Sequence, residues 1–284
     1  MDIKKIKGKI HNLLIGFDSF IASMVPQNPL NGSMRSSVSE WPKSDVALDH
    51  VLQGRVEKLM SLMSSCVCES EVVRKGSDAD GGYFVSKKNT SYASIISFGV
   101  GSDISFETAL MNDSTFVHFY DNSINQLPTA VNNSTFFRET VGRGGVDLNQ
   151  AISRISVPPM LLKCDIEGTE WELFSKADSS EISKFEQIVI EFHGLQFLYL
   201  DKIFEEQIAA LEKIYSTHAP IFCNSNNFGK FFLIGGRLVP EVLEVTYLSR
   251  ELHDCAKINN TQHLGKFRND PKSIAWTTSF DSLR

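Results

Sequence analysis

The stretch Met160-Leu-Leu-Lys-Cys-Asp165-Ile-Glu167-Gly168-Thr-Glu170-Trp-Glu-Leu-Phe174 decides the fold. Five mainly apolar residues stop at two carboxylates and a glycine, and helical spacing begins at once. That pattern predicts a buried strand over 160–164 passing directly into a helix. In an open α/β sheet the carboxyl end of such a strand is where ligands bind. Asp165 is therefore a candidate functional carboxylate, while Glu167 and Glu170 also suit a helix N-terminus through its dipole. Lys163 lies two residues before Asp165, on the same face of an extended strand, and is placed to neutralise it.

Working upstream, Ser97-Phe98-Gly99-Val100-Gly101-Ser102-Asp103 follows another apolar run, with a strand over 95–98 and a helix over 105–111. Glycines at a strand-to-helix turn let a ligand approach the backbone closely. A second strand, 116–120, ends at Asp121, 20 residues after Gly101. An acid at that spacing commonly accepts hydrogen bonds from a ribose diol. The third glycine of the dinucleotide fingerprint is missing, and Asp103 stands where a diphosphate would lie. A carboxylate there repels phosphate and suits a cationic ligand, although Asp103 also suits a helix cap.

Downstream, a third strand (135–140) leads into Gly142-Arg-Gly144-Gly145, and a helix spans 147–155. A fifth strand over 187–192 leads into His193-Gly194, so Glu191 and His193 share a face at its end. They offer a general base with an orienting partner, or a divalent-metal site with Asp165, or a hydrogen-bonded structural histidine. An amphipathic helix spans 201–215, and the last two strands are 220–224 and 243–247. Alternation of this kind implies a mostly parallel, doubly wound sheet. Asn224-Ser-Asn226-Asn227 suits either a hydroxyl-rich ligand or a turn. Asp80-Gly81-Gly82-Tyr83 reads as a tight turn before a short strand that can bring backbone amides near a ligand.

Composition bounds the function. The chain has 284 residues, 42% apolar content and a net charge of −6, with no Lys/Arg run longer than two. One large core is expected, and a nucleic-acid or anionic-membrane partner is disfavoured. The five cysteines (66, 68, 164, 223 and 255) are odd in number and lack zinc-type spacing, which fits free thiols and a cytoplasmic setting. The apolar stretch 10–25 is interrupted by Asp18 and too short to span a membrane. The expected organisation is an N-terminal extension and linker (1–45), a helical and turn cap (46–90, with a helix over 46–66), a main domain (91–250) and a tail (251–284).

Six ordered segments carry a family resemblance: Asp80–Tyr83, Ser97–Glu107, Leu162–Trp171, Ile190–His193, Asn226-Asn227 and Val239–Tyr247. Over about residues 72–250 the chain resembles the FkbM-type S-adenosylmethionine-dependent methyltransferases. The resemblance implies a class I methyltransferase fold, a Rossmann-like seven-stranded sheet, mostly parallel, whose last strand is antiparallel. It implies that Gly99, Gly101 and Asp103 line the methionine side of S-adenosylmethionine and Asp121 takes the ribose. Gly145 and Val146 would lie near the adenine, and Asp165 near the transferred methyl. Ser97 stands where many methyltransferases carry an acid, which puts more weight on Asp103. The implied activity is O-methylation of a hydroxyl on a sugar, glycan or small metabolite. His193 is the first candidate base, with Asp165 or Glu191 orienting it, and the same three residues are the candidate metal ligands. Asp80, Tyr83, Glu167, Asn226 and Asn227 are the candidate acceptor contacts. Two other readings are a catalytically silent binding module and an NAD-dependent oxidoreductase.

Overall fold

A computed structural model describes residues 46–63, 66–68, 71–78, 81–88, 91–226, 230–253 and 255–257. The expected linker, the 10–25 stretch, Asp80, Asn227 and most of the 251–284 tail lie outside these residues. The described elements run α1 (Val46–Met63), β1 (Cys66–Cys68), β2 (Val72–Gly76), β3 (Gly82–Ser86), β4 (Ser94–Phe98), α2 (Ser105–Thr108), β5 (Phe116–Tyr120) and β6 (Ser134–Phe137). Then come α3 (Leu148–Arg154), β7 (Met160–Cys164), α4 (Glu170–Lys176), α5 (Ser179–Ile182), β8 (Gln187–His193), a 3₁₀ turn (Leu195–Tyr199) and α6 (Asp201–Thr217). The last are β9 (His218–Ser225), β10 (Phe231–Ile234), β11 (Arg237–Pro240), β12 (Val242–Ser249) and β13 (Cys255–Lys257).

Seven strands form one sheet in the order β6-β5-β4-β7-β8-β12-β9. The five from β6 to β8 are parallel, and β12 is antiparallel to both neighbours. The chain winds outward from β4 in one direction and from β7 in the other. The boundary between β4 and β7 is thus the point where strand order reverses. Both central strands are buried along their whole length, which explains their near-continuous apolar reading.

Strand parity sorts the core into two layers. Ile96, Phe98, Leu162, Cys164, Ile188, Ile190 and Phe192 pack with residues of α1, α3, α4 and α6. Ile95, Leu161 and Val189 face the opposite way, toward Tyr83 and Val85 of β3 and toward Ile104, Phe106 and Leu110. That second face is covered by the antiparallel hairpin β2–β3. The hairpin docks through polar contacts as well: Ser86 N donates to Gln187 Oε1 at 2.9 Å, and Thr246 Oγ1 donates to the Phe84 carbonyl at 2.6 Å. Ser97, Lys163, Asp165, Glu191 and His193 are all odd-numbered and so belong to the hairpin side.

Most expected elements are present with altered ends. The helix expected over 105–111 stops at Thr108, whose hydroxyl back-bonds to the Ile104 and Ser105 carbonyls, a competitor to helix continuation. The strand expected over 135–140 is Ser134–Phe137, and the chain then leaves the sheet for the turn at Val141–Val146. The 147–155 helix begins one residue later because Asp147 is its cap, with a reciprocal Gln150 side-chain bond.

Candidate active site

The carboxyl ends of β4, β5, β6 and β7 surround a cleft of about 630 Å³. Gly99 begins the loop after β4. Its φ is +73°, and an added Cβ would overlap the carbonyl oxygen of Asp165. Asp165 N in turn donates to the Phe98 carbonyl at 3.0 Å. The two loops are thus pressed backbone to backbone at the switch point, a contact only glycine permits.

Tyr83, Gly99, Gly101, Asp103, Asp121, Asp165 and Glu167, all expected at the site, line this one cleft. Asp103 Oδ1 accepts from Ser105 N at 2.8 Å and so secures the first turn of α2. Gly81, at the tip of the β2–β3 hairpin, has no room for a Cβ because the Asp103 carboxylate lies against it. Burial opposes ionisation of Asp103, but the Ser105 bonds and the Lys163 charge outweigh it and hold its carboxyl below the usual range. Asp121 is engaged by the loop after β4 and by its own. Its Oδ2 accepts from Val100 N (2.9 Å) and Gly101 N (2.8 Å), and its Oδ1 from Ser123 N (2.7 Å) and Ser123 Oγ (2.6 Å). These bonds outweigh its burial and depress its pKa.

Lys163 is the buried cation of the site, 5% exposed. Its ammonium donates to the Gly99 carbonyl and to Asp165 Oδ2 (3.3 Å), as its shared strand face predicts. Tyr83 Oη donates to the same Asp165 oxygen at 2.8 Å. Burial would discharge Lys163, but Asp165, Glu107 and Glu191 more than offset this and raise its pKa.

His193 stands beside the cleft, behind Asp165 and Glu167. Its Nε2 is 3.5 Å from Glu167, 3.6 Å from Glu191 and 4.0 Å from Asp165. The orienting contact is none of these. Nδ1 lies 3.1 Å from Glu170 Oε1, a fully buried carboxylate. Burial lowers the imidazole pKa, but Glu170, Glu191 and Asp165 overcome it and raise it to about 9. The imidazolium form of His193 is thus favoured by acids on several sides. The expectation that Asp165 or Glu191 orients the ring gives way to Glu170.

The same cluster offers metal ligands. One atom each from Asp165, Glu167 and His193 lies within 4.8 Å of the others. This set holds Glu167 where Glu191 was expected, and Glu191 Oε1 accepts from Asn226 Nδ2 at 3.0 Å.

Two groups of expected residues lie next to this cleft. Gly145 and Val146 line an adjoining hollow with Gln150, Ser153 and Arg154, and Glu139 and Thr140 border both spaces. Val146 N donates to the Thr140 carbonyl and closes the turn between them. Asn226 is buried, and its Nδ2 donates to Glu191 Oε1 at the end of β8. Among residues not anticipated, Glu107 is 1% exposed and lines the cleft. Its signals in the sequence are a lone acid inside Ser-Phe-Glu-Thr and its place at the end of the Ser97–Glu107 segment.

No protein-family model matches this chain, and no curated protein matches it. Among the described residues no helix is long and apolar enough to cross a membrane.

Proposed function

We propose that the protein is an S-adenosylmethionine-dependent methyltransferase acting on a hydroxyl of a sugar, glycan or small metabolite. The charge of the cleft carries this reading. Six carboxylates line it (Asp103, Glu107, Asp121, Glu139, Asp165 and Glu167) against two cations, Lys163 and Arg143. Lys163 is already engaged by Gly99 and Asp165. A diphosphate would meet net repulsion here, and α2 has only one turn to offer it, which counts against a nicotinamide dinucleotide. A phosphate-free nucleoside bearing a sulfonium and an ammonium has matching charge. The seven-stranded order with its inserted antiparallel strand supports the same reading.

The residues fit such a donor. Gly99 and Gly101 allow close backbone approach, Asp103 and Glu107 supply acceptors, and Asp121 ends the strand beside them. When bound, the donor supplies an electrophilic methyl group. The protein's part is to hold an acceptor oxygen in line with it, which can account for much of the rate. Asp165, fixed by Tyr83 and Lys163, borders the place where the acceptor proton leaves. His193, deprotonated, is the base, and Glu170 fixes its ring. The proximity of Asp165, Glu167 and His193 favours a second version, in which these three residues would hold a divalent cation whose Lewis acidity would lower the acceptor's pKa.

Calorimetric titration with S-adenosylhomocysteine tests the reading, using wild type and Asp103→Ala in parallel. Micromolar binding that the variant weakens is expected, followed by label transfer from the methyl donor to hydroxyl acceptors. A folded wild type that binds nothing removes the cofactor. Binding without transfer to any acceptor points to the silent module.

A further inference from the structure

Two short strands from distant parts of the chain meet in a ribbon of their own. β1 (Cys66–Cys68) precedes the main sheet and β13 (Cys255–Lys257) follows its last strand. They pair antiparallel, with Cys66 opposite Lys257, Val67 opposite Ala256 and Cys68 opposite Cys255. A ribbon this short is marginal by itself, and bringing together ends that enclose the whole main sheet carries a loop-closure cost. The register offers a covalent tie. Directly opposed residues of an antiparallel pair have Cα atoms about 4.5 or 5.5 Å apart, according to the type of pair. Both spacings fall within the range of roughly 4.4–6.8 Å that a disulfide spans. Cys66 is diagonal to Cys255, a spacing of roughly 7–8 Å, which lies beyond that range.

The other thiols do not compete. Cys164 on β7 and Cys223 on β9 are free and buried in the main sheet. Burial pushes both thiols up, away from the reactive thiolate. A separate observation concerns the compartment. Disulfides persist in oxidising, secretory settings, where Asn-X-Ser/Thr triplets also accept glycans on surface loops. Asn112-Asp-Ser114 and Asn132-Asn-Ser134 are such triplets, and both asparagines are exposed, just before β5 and β6. They lie at the amino ends of these strands, opposite the cleft, where a glycan leaves the cleft open.

We propose that Cys68 and Cys255 form a disulfide that closes the β1–β13 ribbon. The odd cysteine count is then one pair, two buried thiols and Cys66. The bond forms by exchange with a small disulfide such as oxidised glutathione. The Cys68 thiolate attacks one of its sulfurs and expels a thiolate. The Cys255 thiolate then attacks the Cys68 sulfur of the mixed disulfide and expels the second. Two protein thiols are oxidised, one small disulfide is reduced to two thiols, and the two protons pass to the leaving thiolates. The bond is independent of what the cleft binds.

The test uses the full chain as wild type, Cys66→Ser and Cys255→Ser, equilibrated without denaturant in mixtures of reduced and oxidised glutathione. Remaining thiols are alkylated after an acid quench, and the peptides are mapped by mass spectrometry. Wild type and Cys66→Ser should both yield a Cys68–Cys255 cross-linked peptide as the main oxidised species, with Cys164 and Cys223 recovered alkylated. Cys255→Ser should yield no internal cross-link under the same mixtures. In concentrated urea the preference for Cys68–Cys255 should be lost, because the register that directs it is gone. A cross-link through Cys66, glutathione adducts alone, free thiols throughout, or the same Cys68–Cys255 yield in urea would each overturn the assignment.

Discussion

Glu170 Oε1 lies 3.1 Å from His193 Nδ1, and the same carboxylate accepts from Ile166 N at 3.0 Å and from Gly168 N. One fully buried acid thus ties the loop after β7 to the end of β8. The loop residues it gathers, Asp165 to Gly168, are those that border the cleft. The Glu170→Gln variant should bring the His193 pKa down from about 9 by at least one unit. Titration of the His193 ring proton by NMR reads this directly. An unchanged His193 pKa would show that Glu191 and Asp165 suffice without it.

If His193 is the base, its proton must be absent before it can work. Its raised pKa means that the base form grows as pH rises toward about 9 and dominates above that. Transfer rate at saturating substrates should climb about tenfold per pH unit between 7 and 8.5 and level off above 9. The His193→Asn variant should be slow and flat over that range. A wild-type profile flat from pH 6 to 9 would remove His193 as the base.

The backbone contact between Gly99 and Asp165 separates two glycines that look alike in sequence. Gly99→Ala places a methyl group into the Asp165 carbonyl at a positive φ, so the two loops must part. A loss of about 3 kcal/mol or more is expected. Gly101, at φ +56°, has open space where its Cβ would go. Gly101→Ala should cost only about 1 kcal/mol, the conformational part alone. Urea unfolding of the two variants checks the contrast, and similar losses would contradict the packing.

His218 is buried, with its Nε2 2.9 Å from the Phe185 carbonyl and its Nδ1 2.8 Å from Thr217 Oγ1, and among the described residues no carboxylate pairs with its ring. Burial, helped by Arg250, overrides the Phe185 bond and lowers its pKa from 6.5 to about 4. Below pH 6.5 the unfolded chain takes up the proton first, so stability falls as pH drops, until about pH 4. The loss over that window is on the order of 3 kcal/mol. Chemical denaturation at pH 7.5 and 4.5 should show a smaller acid loss for His218→Gln than for wild type. Equal losses would assign the acid sensitivity to other groups.

Addition of Mg²⁺ or Mn²⁺ tests the alternative at the same cluster. If Asp165, Glu167 and His193 hold the ion, Glu167→Gln should weaken its binding by about tenfold, read by calorimetry. Chelation should then abolish transfer. Activity unaffected by chelator leaves His193 to act alone.

The central strands were legible because burial on both faces leaves no doubt about the pattern: Met160–Cys164 and the strand before Gly99 fall where the apolar runs end. Lys163 beside Asp165 was readable from strand parity alone. Of the first hairpin the sequence shows the turn and β3 but not β2, and of the second it shows neither strand. In β2, Val-Val-Arg-Lys-Gly is half-buried throughout and shows no alternation. Between β10 and β11 the Gly235-Gly236 pair, both residues at positive φ, makes the turn that a Gly-Gly dipeptide favours. Glu107 and Glu170 escaped for another reason. Each looks like an ordinary helix acid, and only the sheet's parity and the hairpin cover place one over Ser97 and the other beside His193.

The insertion of β12 between β8 and β9 has a consequence for assembly. During synthesis β9 leaves the ribosome with no strand to pair with, since its neighbour in the sheet is made later. Until Val242–Ser249 arrives, β8 has an open edge and β9 is adrift. Val242 pairs with His193 and Glu244 with Glu191. The end of β8 that carries the charged cluster therefore gains its neighbouring strand only when the last strand of the sheet is made, and a nascent chain lacking it has the loops after β4 and β7 but an unpaired strand under Glu191 and His193.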